Sequence, residues 1–274
     1  MASELLTAAR TELGAGEFVA RCGRVFATFG PPEQDSGNVS WGVAVDGERF
    51  FVKSAPRDGQ AFFSHEARVA LLRNAVDVAR SCASPTLGRL RHVVESADGP
   101  VLVYEWCKGE LLAGGGVRRD DPASAHRRFR RLPVGEICAA LGELIALHAA
   151  LERAGWVAVD LYDGCLMYDF AEHMLRVIDL DMYRRGAFVN EMGRMFGSRR
   201  FMSPEEFERG ATIDCRSTVF TLGRFVEVFL GDAVEASVLL EGARGIAQKA
   251  TRPVKEERYA SVAALHGAWV TLGE

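Results

Sequence analysis

The sequence predicts an α+β protein with a small β-rich N-terminal part, residues 1–106, and a larger, mainly helical C-terminal part, residues 107–274. Three observations carry that division. From Arg24 to Lys53 the apolar residues recur with the short period of strands. From Val134 onward the long segments follow the period of helices. Between them, after Lys108-Gly109, residues 113–133 are rich in Gly, Arg and Pro and read as loop.

Taken in order, residues 1–22 carry a helical pattern that ends near Gly23. Val25–Phe29, Val39–Val45 and Arg49–Lys53 read as strands. Asp46-Gly47 joins the last two, a dipeptide that favours the tight hairpin turn. Gln60–Ala75 reads as a helix with Phe62, Glu66 and Val69 on one face. Val101–Trp106 is a continuous apolar strand. Val134–Arg153 is a long helix whose stripe of Ile137, Leu141, Leu144, His148 and Leu151 faces a core, with His148 expected to be buried and hydrogen-bonded. Short strands surround Asp160 and Asp179, and helices run from Cys215 to the end.

Composition narrows the function classes. At 274 residues the chain can bury roughly three quarters of the surface its unfolded form exposes. With 48% apolar and 26% charged residues it reads as globular, and a net charge of −4 gives no reason to expect nucleic acid or membrane as a partner. No apolar run approaches the roughly 20 residues that span a bilayer. The six cysteines are scattered without a C-x-x-C pair, which together with the lack of a leader points to reduced thiols in the cytoplasm. Oligomeric state is left open.

The chemistry concentrates in two short segments. Gly155–Cys165 and Leu175–Asp181 each carry an apolar stretch that ends in a carboxylate, Asp160 and Asp179, with a turn between. Phosphoryl transfer uses such a pair, one carboxylate facing the attacking hydroxyl and one holding the metal that bridges the phosphates. Asp179 and Asp181, on alternating positions, are expected on one face, where a metal would make their repulsion tolerable. Lys53 closes the apolar strand Arg-Phe-Phe-Val-Lys, so it must snorkel out or find anions. Arg118, Arg119, Arg127, Arg128, Arg130 and Arg131 crowd the loop, either as solvated surface or as an anchor for an acidic substrate or partner.

From about Val25 to Val262 these segments resemble the protein-kinase family, the bacterial Ser/Thr kinases in particular. The context of Lys53 resembles that family's Val-Ala-Ile-Lys strand, and the resemblance implies that Glu66 orients Lys53 against the α- and β-phosphates of ATP. Gly30–Val39 takes the place of the glycine-rich loop, with Gly37 on the third glycine and Val39 on the valine that covers adenine. The first two glycines fall on Pro32 and Gln34, so nucleotide could be covered through Gln34 or Ser36 instead. Val101–Glu110 resembles the strand and hinge that hold the base: Tyr104 would guard the back pocket, and the Glu105 carbonyl and Cys107 backbone would bond the adenine.

Asp160 stands where H-R-D-x-x-x-x-N has its aspartate and would accept or orient the substrate hydroxyl. Cys165 replaces the asparagine, a soft ligand in place of a hard one for Mg²⁺, with Asp163 or Asp181 as candidate replacements. Asp179 opens Asp-Leu-Asp in place of Asp-Phe-Gly and would hold the main Mg²⁺. Gly197–Glu205 resembles the end of an activation segment, which implies a polypeptide acceptor and a pairing of Glu205 with Arg258. Asp214–Gly223 resembles D-x-R-S-D-V-Y-S-L-G, with Thr218 in place of the buried aspartate and able to keep one bond to the catalytic-loop backbone. Val159 replaces the arginine before the catalytic aspartate, so activation-loop phosphorylation is not expected as the switch.

The resemblance thus implies a two-lobed kinase-like fold with ATP and Mg²⁺ between the lobes, transferring the γ-phosphate to a protein serine or threonine. Its alternatives are a kinase acting on a small-molecule hydroxyl, and a pseudokinase, a nucleotide-binding scaffold with little turnover.

Overall fold

The computed structural model describes residues 3–30, 37–57, 62–113, 118–234 and 237–272. The chain is α+β and divides into two compact units, Met1–Cys107 and Lys108–Glu274.

The first unit opens with α1 (Glu4–Thr7) and α2 (Ala15–Cys22), then β1 (Arg24–Phe29), β2 (Val39–Val45), β3 (Glu48–Ser54), α3 (His65–Ser81), β4 (Leu90–Ser96) and β5 (Gly99–Glu105). The strands form one antiparallel sheet in the order β1-β2-β3-β5-β4. Asp46 and Gly47 close the β2–β3 hairpin with φ of 50° and 86°, the left-handed pair that a two-residue turn requires. Alternation then gives the sheet two faces. One carries Val43, Phe50, Val52, Val101 and Val103 and packs with Leu5, Phe18 and Val19 of the N-terminal helices. The other carries Leu102 and packs with Leu72, Ala75 and Val76 of α3.

Helix α3 differs from expectation at both ends. The Ser64 hydroxyl accepts from the Ala67 amide at 3.2 Å, so the helix starts after Phe62, which is 76% exposed, and it runs on to Ser81. Residues 31–36, including Pro32, Gln34 and Ser36, lie outside the described residues.

The second unit contains β6 (Glu110–Leu111), α4 (Ala125–Phe129), α5 (Val134–Arg153), β7 (Trp156–Val157), β8 (Leu166–Asp169), β9 (Met174–Val177), β10 (Arg184–Arg185), β11 (Phe188–Val189), β12 (Thr212–Ile213), α6 (Cys215–Leu230), α7 (Val238–Ala250) and α8 (Val262–Val270). All five expected stripe residues of α5 are buried. His148 Nδ1 donates to the Leu144 carbonyl at 2.7 Å, and Nε2 of the neutral ring accepts from the Tyr183 hydroxyl at 2.7 Å. Contrary to the expectation that no apolar run approaches bilayer length, α5 is long and apolar enough to cross a membrane, by length and composition only; most of it is buried inside the protein as a core helix. Around it Phe129, Tyr168, Phe201, Phe225 and Phe229 form a contiguous aromatic core.

Candidate functional site

In the first unit, Lys53 is half-buried on β3, opposite Ser40 and Leu102, on the sheet face that packs against α3. Gly37 has φ of 73°, and its carbonyl accepts from the Arg68 guanidinium at 2.7 Å. The same guanidinium, 2% exposed, donates to the Pro56 carbonyl at 2.8 Å, so Arg68 ties together the backbone on either side of β2 and β3. Val39 begins β2 half-buried, opposite Ser54.

Glu66 behaves differently from the implied partner of Lys53. Its side chain is exposed at the start of α3, where its own amide and the Ser64 hydroxyl bond the carboxylate and hold its pKa below the usual range. The physical reason is its position: a carboxylate in the first helical turn is already stabilised by free amides and the helix dipole. At the end of β5, the exposed Glu105 carboxylate lies 3.6 Å from Arg89 and 3.7 Å from Arg91. The Glu105 carbonyl takes a long contact, 3.9 Å, from the Cys107 thiol.

In the second unit, Val157 and Val159 are buried with Met195, Met202 and Ile213, and this apolar floor fixes the loop that carries Asp160. The Thr218 hydroxyl on α6 accepts from the Ala158 amide at 3.1 Å, the single backbone bond expected of it. Asp160 and Asp179 both take left-handed backbone conformations, φ of 60° and 63°, which cost a residue with a Cβ about 1–3 kcal/mol. Gly197 reaches the loop from the other side: a Cβ there would lie 3.5 Å from Asp160 Oδ1.

Antiparallel β8 and β9 return the chain so that Asp179 comes beside the first loop. Burial first, and then the charges of Asp179, Asp160 and Asp163, hold the Cys165 thiol well above its ordinary pKa. Tyr162 is pushed up by burial and by Cys165 and the same carboxylates. The acids, the thiol and the phenol therefore share one electrostatic neighbourhood.

Two expectations for metal ligands fail here. Cys165 is 2% exposed, burial raises its thiol pKa, and the thiol donates to the Asp160 carbonyl at 3.3 Å, so its sulfur is turned to the backbone and not presented to a cation. Asp179 and Asp181 do not share a strand face: β9 ends at Val177, the left-handed turn at Asp179 breaks the alternation, and Asp179 is exposed while Asp181 is buried. Asp163 is also committed elsewhere, with Arg119 donating to it twice at 2.7 Å. Among the described residues no three His, Cys, Asp or Glu side chains converge as a metal cage. Mg²⁺ arriving on phosphates needs only one or two protein carboxylates, and the exposed Asp179 fits that lesser role.

Below the loop, Glu205 pairs with Arg258 at 2.7 Å and 3.0 Å, as the resemblance implied. Its neighbour Glu206 accepts from the Ser203 amide and hydroxyl at 2.7 Å and 2.8 Å; burial, aided by the charges of Glu205 and Asp160, pushes it up to about 7. Of the loop arginines, Arg118 pairs with Asp120 and Arg128 with Glu110 at the surface, while Arg127 and the largely buried Arg130 reach Asp232, beyond the end of α6. Arg119 and the unanticipated Arg200 converge on Asp163; nothing in their spacing announces this, since the partners lie on separate segments. Comparisons with protein-family models and with characterised proteins find no match to the chain.

Proposed function

We propose that the protein is an ATP-dependent phosphotransferase of two-lobed, kinase-like fold, acting on a serine or threonine hydroxyl of a polypeptide. The observation that carries this reading is the pair of left-handed aspartates, Asp160 and Asp179, brought together around Cys165 and Tyr162. Strain at two acidic residues in one neighbourhood is what a site that aims carboxylates would retain.

In the reaction the bond between the β–γ bridging oxygen and the γ-phosphorus breaks, and a new bond forms between that phosphorus and the acceptor oxygen. Asp160 orients the acceptor hydroxyl and takes its proton. Lys53 offers an ammonium to the phosphates, and Asp179 would hold the Mg²⁺ that travels with them, which supplies neutralisation of the phosphate charge. Gly197, close against Asp160, leaves room for a polypeptide segment to approach the carboxylate. The Glu205–Arg258 pair supports the acceptor segment from beneath and takes no part in the chemistry.

A second reading, nucleotide binding without appreciable turnover, is favoured by Cys165 as a buried thiol and by the exposed Glu66. One experiment separates the two. Thermal shifts with ATP, with and without Mg²⁺, are expected to stabilise the protein, and phosphorylation assays should show activity in wild type that Asp160→Asn lowers at least 100-fold. Nucleotide stabilisation with equal, negligible turnover in both would select the second reading. No stabilisation by nucleotide would remove both.

A further inference from the structure

We propose that Arg119 and Arg200 form an anion subsite that binds a carboxylate or phosphate group of the acceptor polypeptide beside Asp160. The inference rests on the phosphotransferase reading and names its acceptor class, an acidic segment.

The starting point is an excess of cations over one buried charge. The Asp163 carboxylate is 0% exposed; Arg119 Nε and Nη2 each donate to it at 2.7 Å, and Arg200 Nη1 donates at 3.3 Å. One bidentate guanidinium already neutralises a carboxylate. The second is surplus, and its cost in a crowded cationic setting shows in Arg200, where burial first and then Arg119, Arg130 and Arg224 weaken its hold on the proton against the pull of Asp163. Asp232 and Glu227 take up Arg130 and Arg224, and the Arg224 Nε also donates to the Arg200 carbonyl at 2.8 Å, anchoring that backbone. His126 does not answer the surplus: it is buried, neutral above about pH 4, and its Nδ1, 3.5 Å from Asp163, has no hydrogen bond.

The surplus donors are reachable. Arg119 and Arg200 side chains each remain 39% exposed. Among the described residues, the bond to Asp163 is the only side-chain hydrogen bond Arg200 makes, so its other N–H groups are open to an oxyanion. A planar fork of this kind suits a carboxylate or phosphate.

Position links the subsite to the reaction. Asp163 follows Asp160 on the same loop, and Arg200 follows Gly197, where a Cβ would lie 3.5 Å from Asp160 Oδ1. An anion on the two guanidiniums is therefore tethered to both segments that meet at the Asp160 carboxylate. Elsewhere the neighbourhood is acidic, with Asp160 and Asp179, and would repel an acidic acceptor, so the arginine pair is what would make one acceptable.

The test uses the full chain and calorimetric titration with two decapeptides, each with one serine, flanked by aspartates in one and by asparagines in the other. Inorganic phosphate is the small probe. Wild type should bind the aspartate peptide at least about tenfold tighter than its amide counterpart. R200Q leaves both Arg119 bonds on Asp163, should fold, and should lose most of that preference and any binding of inorganic phosphate outside the nucleotide site, with ATP·Mg²⁺ affinity unchanged. R200K should restore part of it. Equal binding of the two peptides by wild type, or full discrimination in R200Q, overturns the subsite. Failure of ATP·Mg²⁺ to bind while the peptide preference persists strikes the phosphotransferase reading and leaves the subsite standing.

Discussion

Two of the buried carboxylates in the second unit, Glu205 and Asp163, are each gripped by a bidentate arginine, and they differ in what the arginine has left over. Arg258 is fully enclosed, and all five of its N–H groups are used: two on Glu205, and the rest on the carbonyls of Arg252, Arg216 and Pro253. Arg119 spends two donors on Asp163, stays partly exposed, and shares its carboxylate with a second arginine. The first arrangement is saturated and can only hold the fold. The second carries more cation than its anion needs, and that remainder is what can meet a ligand.

The saturated pair should respond most strongly to substitution. Glu205→Ala strands Arg258 inside the protein and should cost about 3–5 kcal/mol in urea unfolding, whereas the double change Glu205→Leu with Arg258→Met should recover most of it. If the single change costs under about 1 kcal/mol, the pair is not the anchor described. Burial without any counter-ion comes next. His148, pushed down to about 4 from 6.5 by burial, remains neutral in the fold while the unfolded chain takes a proton. Its contribution is complete above pH 6.5 and is lost as pH falls toward 4, up to roughly 3 kcal/mol. Glu206, pushed up to about 7 from 4.5, has the opposite sign and loses stability as pH rises between those values. Urea midpoints across pH 4–8 should therefore show H148Q flattening the acidic limb and E206Q the neutral one.

Arg119→Gln, which leaves Asp163 with Arg200 alone, should cost about 1–3 kcal/mol. Thr218→Ala removes the acceptor of the buried Ala158 amide and should cost about 1–2 kcal/mol, with faster amide exchange at Ala158 as its signature. Arg200→Gln should cost under about 1 kcal/mol, because both Arg119 bonds remain. A larger loss for Arg200→Gln would make it structural, like Arg258.

What the sequence made legible was local. Asp46-Gly47 announced its hairpin because only a few residue pairs tolerate that turn, and the 3.6-residue stripe of Val134–Arg153 announced a core helix at the right bounds. Leu90–Ser96 is not legible as a strand because Arg91, His92 and Glu95 interrupt its alternation; pairing with β5 overrides that weak pattern. Helix α3 starts at His65 and not at the Gln60 that periodicity suggests, because the Ser64 cap outweighs an apolar Phe62. At the candidate site, Asp160 and Asp179 were legible as acids closing apolar runs, and Glu205–Arg258 through resemblance. The left-handed turn that turns Asp179 and Asp181 apart, and the meeting of Arg119 with Asp163, depend on tertiary closure, which no spacing rule expresses.

Cys165 offers a clock for that closure. Its sulfur is sealed inside the loop that carries Asp160, whereas Cys22, Cys107 and Cys215 are only partly covered. A thiol reagent should consume those three promptly and reach Cys165 only when the loop breathes. With the other two buried cysteines, Cys82 and Cys138, replaced by alanine, the slow phase of alkylation reports Cys165 alone and measures the free energy of that local opening. Any molecule that settles against Asp160 should lengthen it.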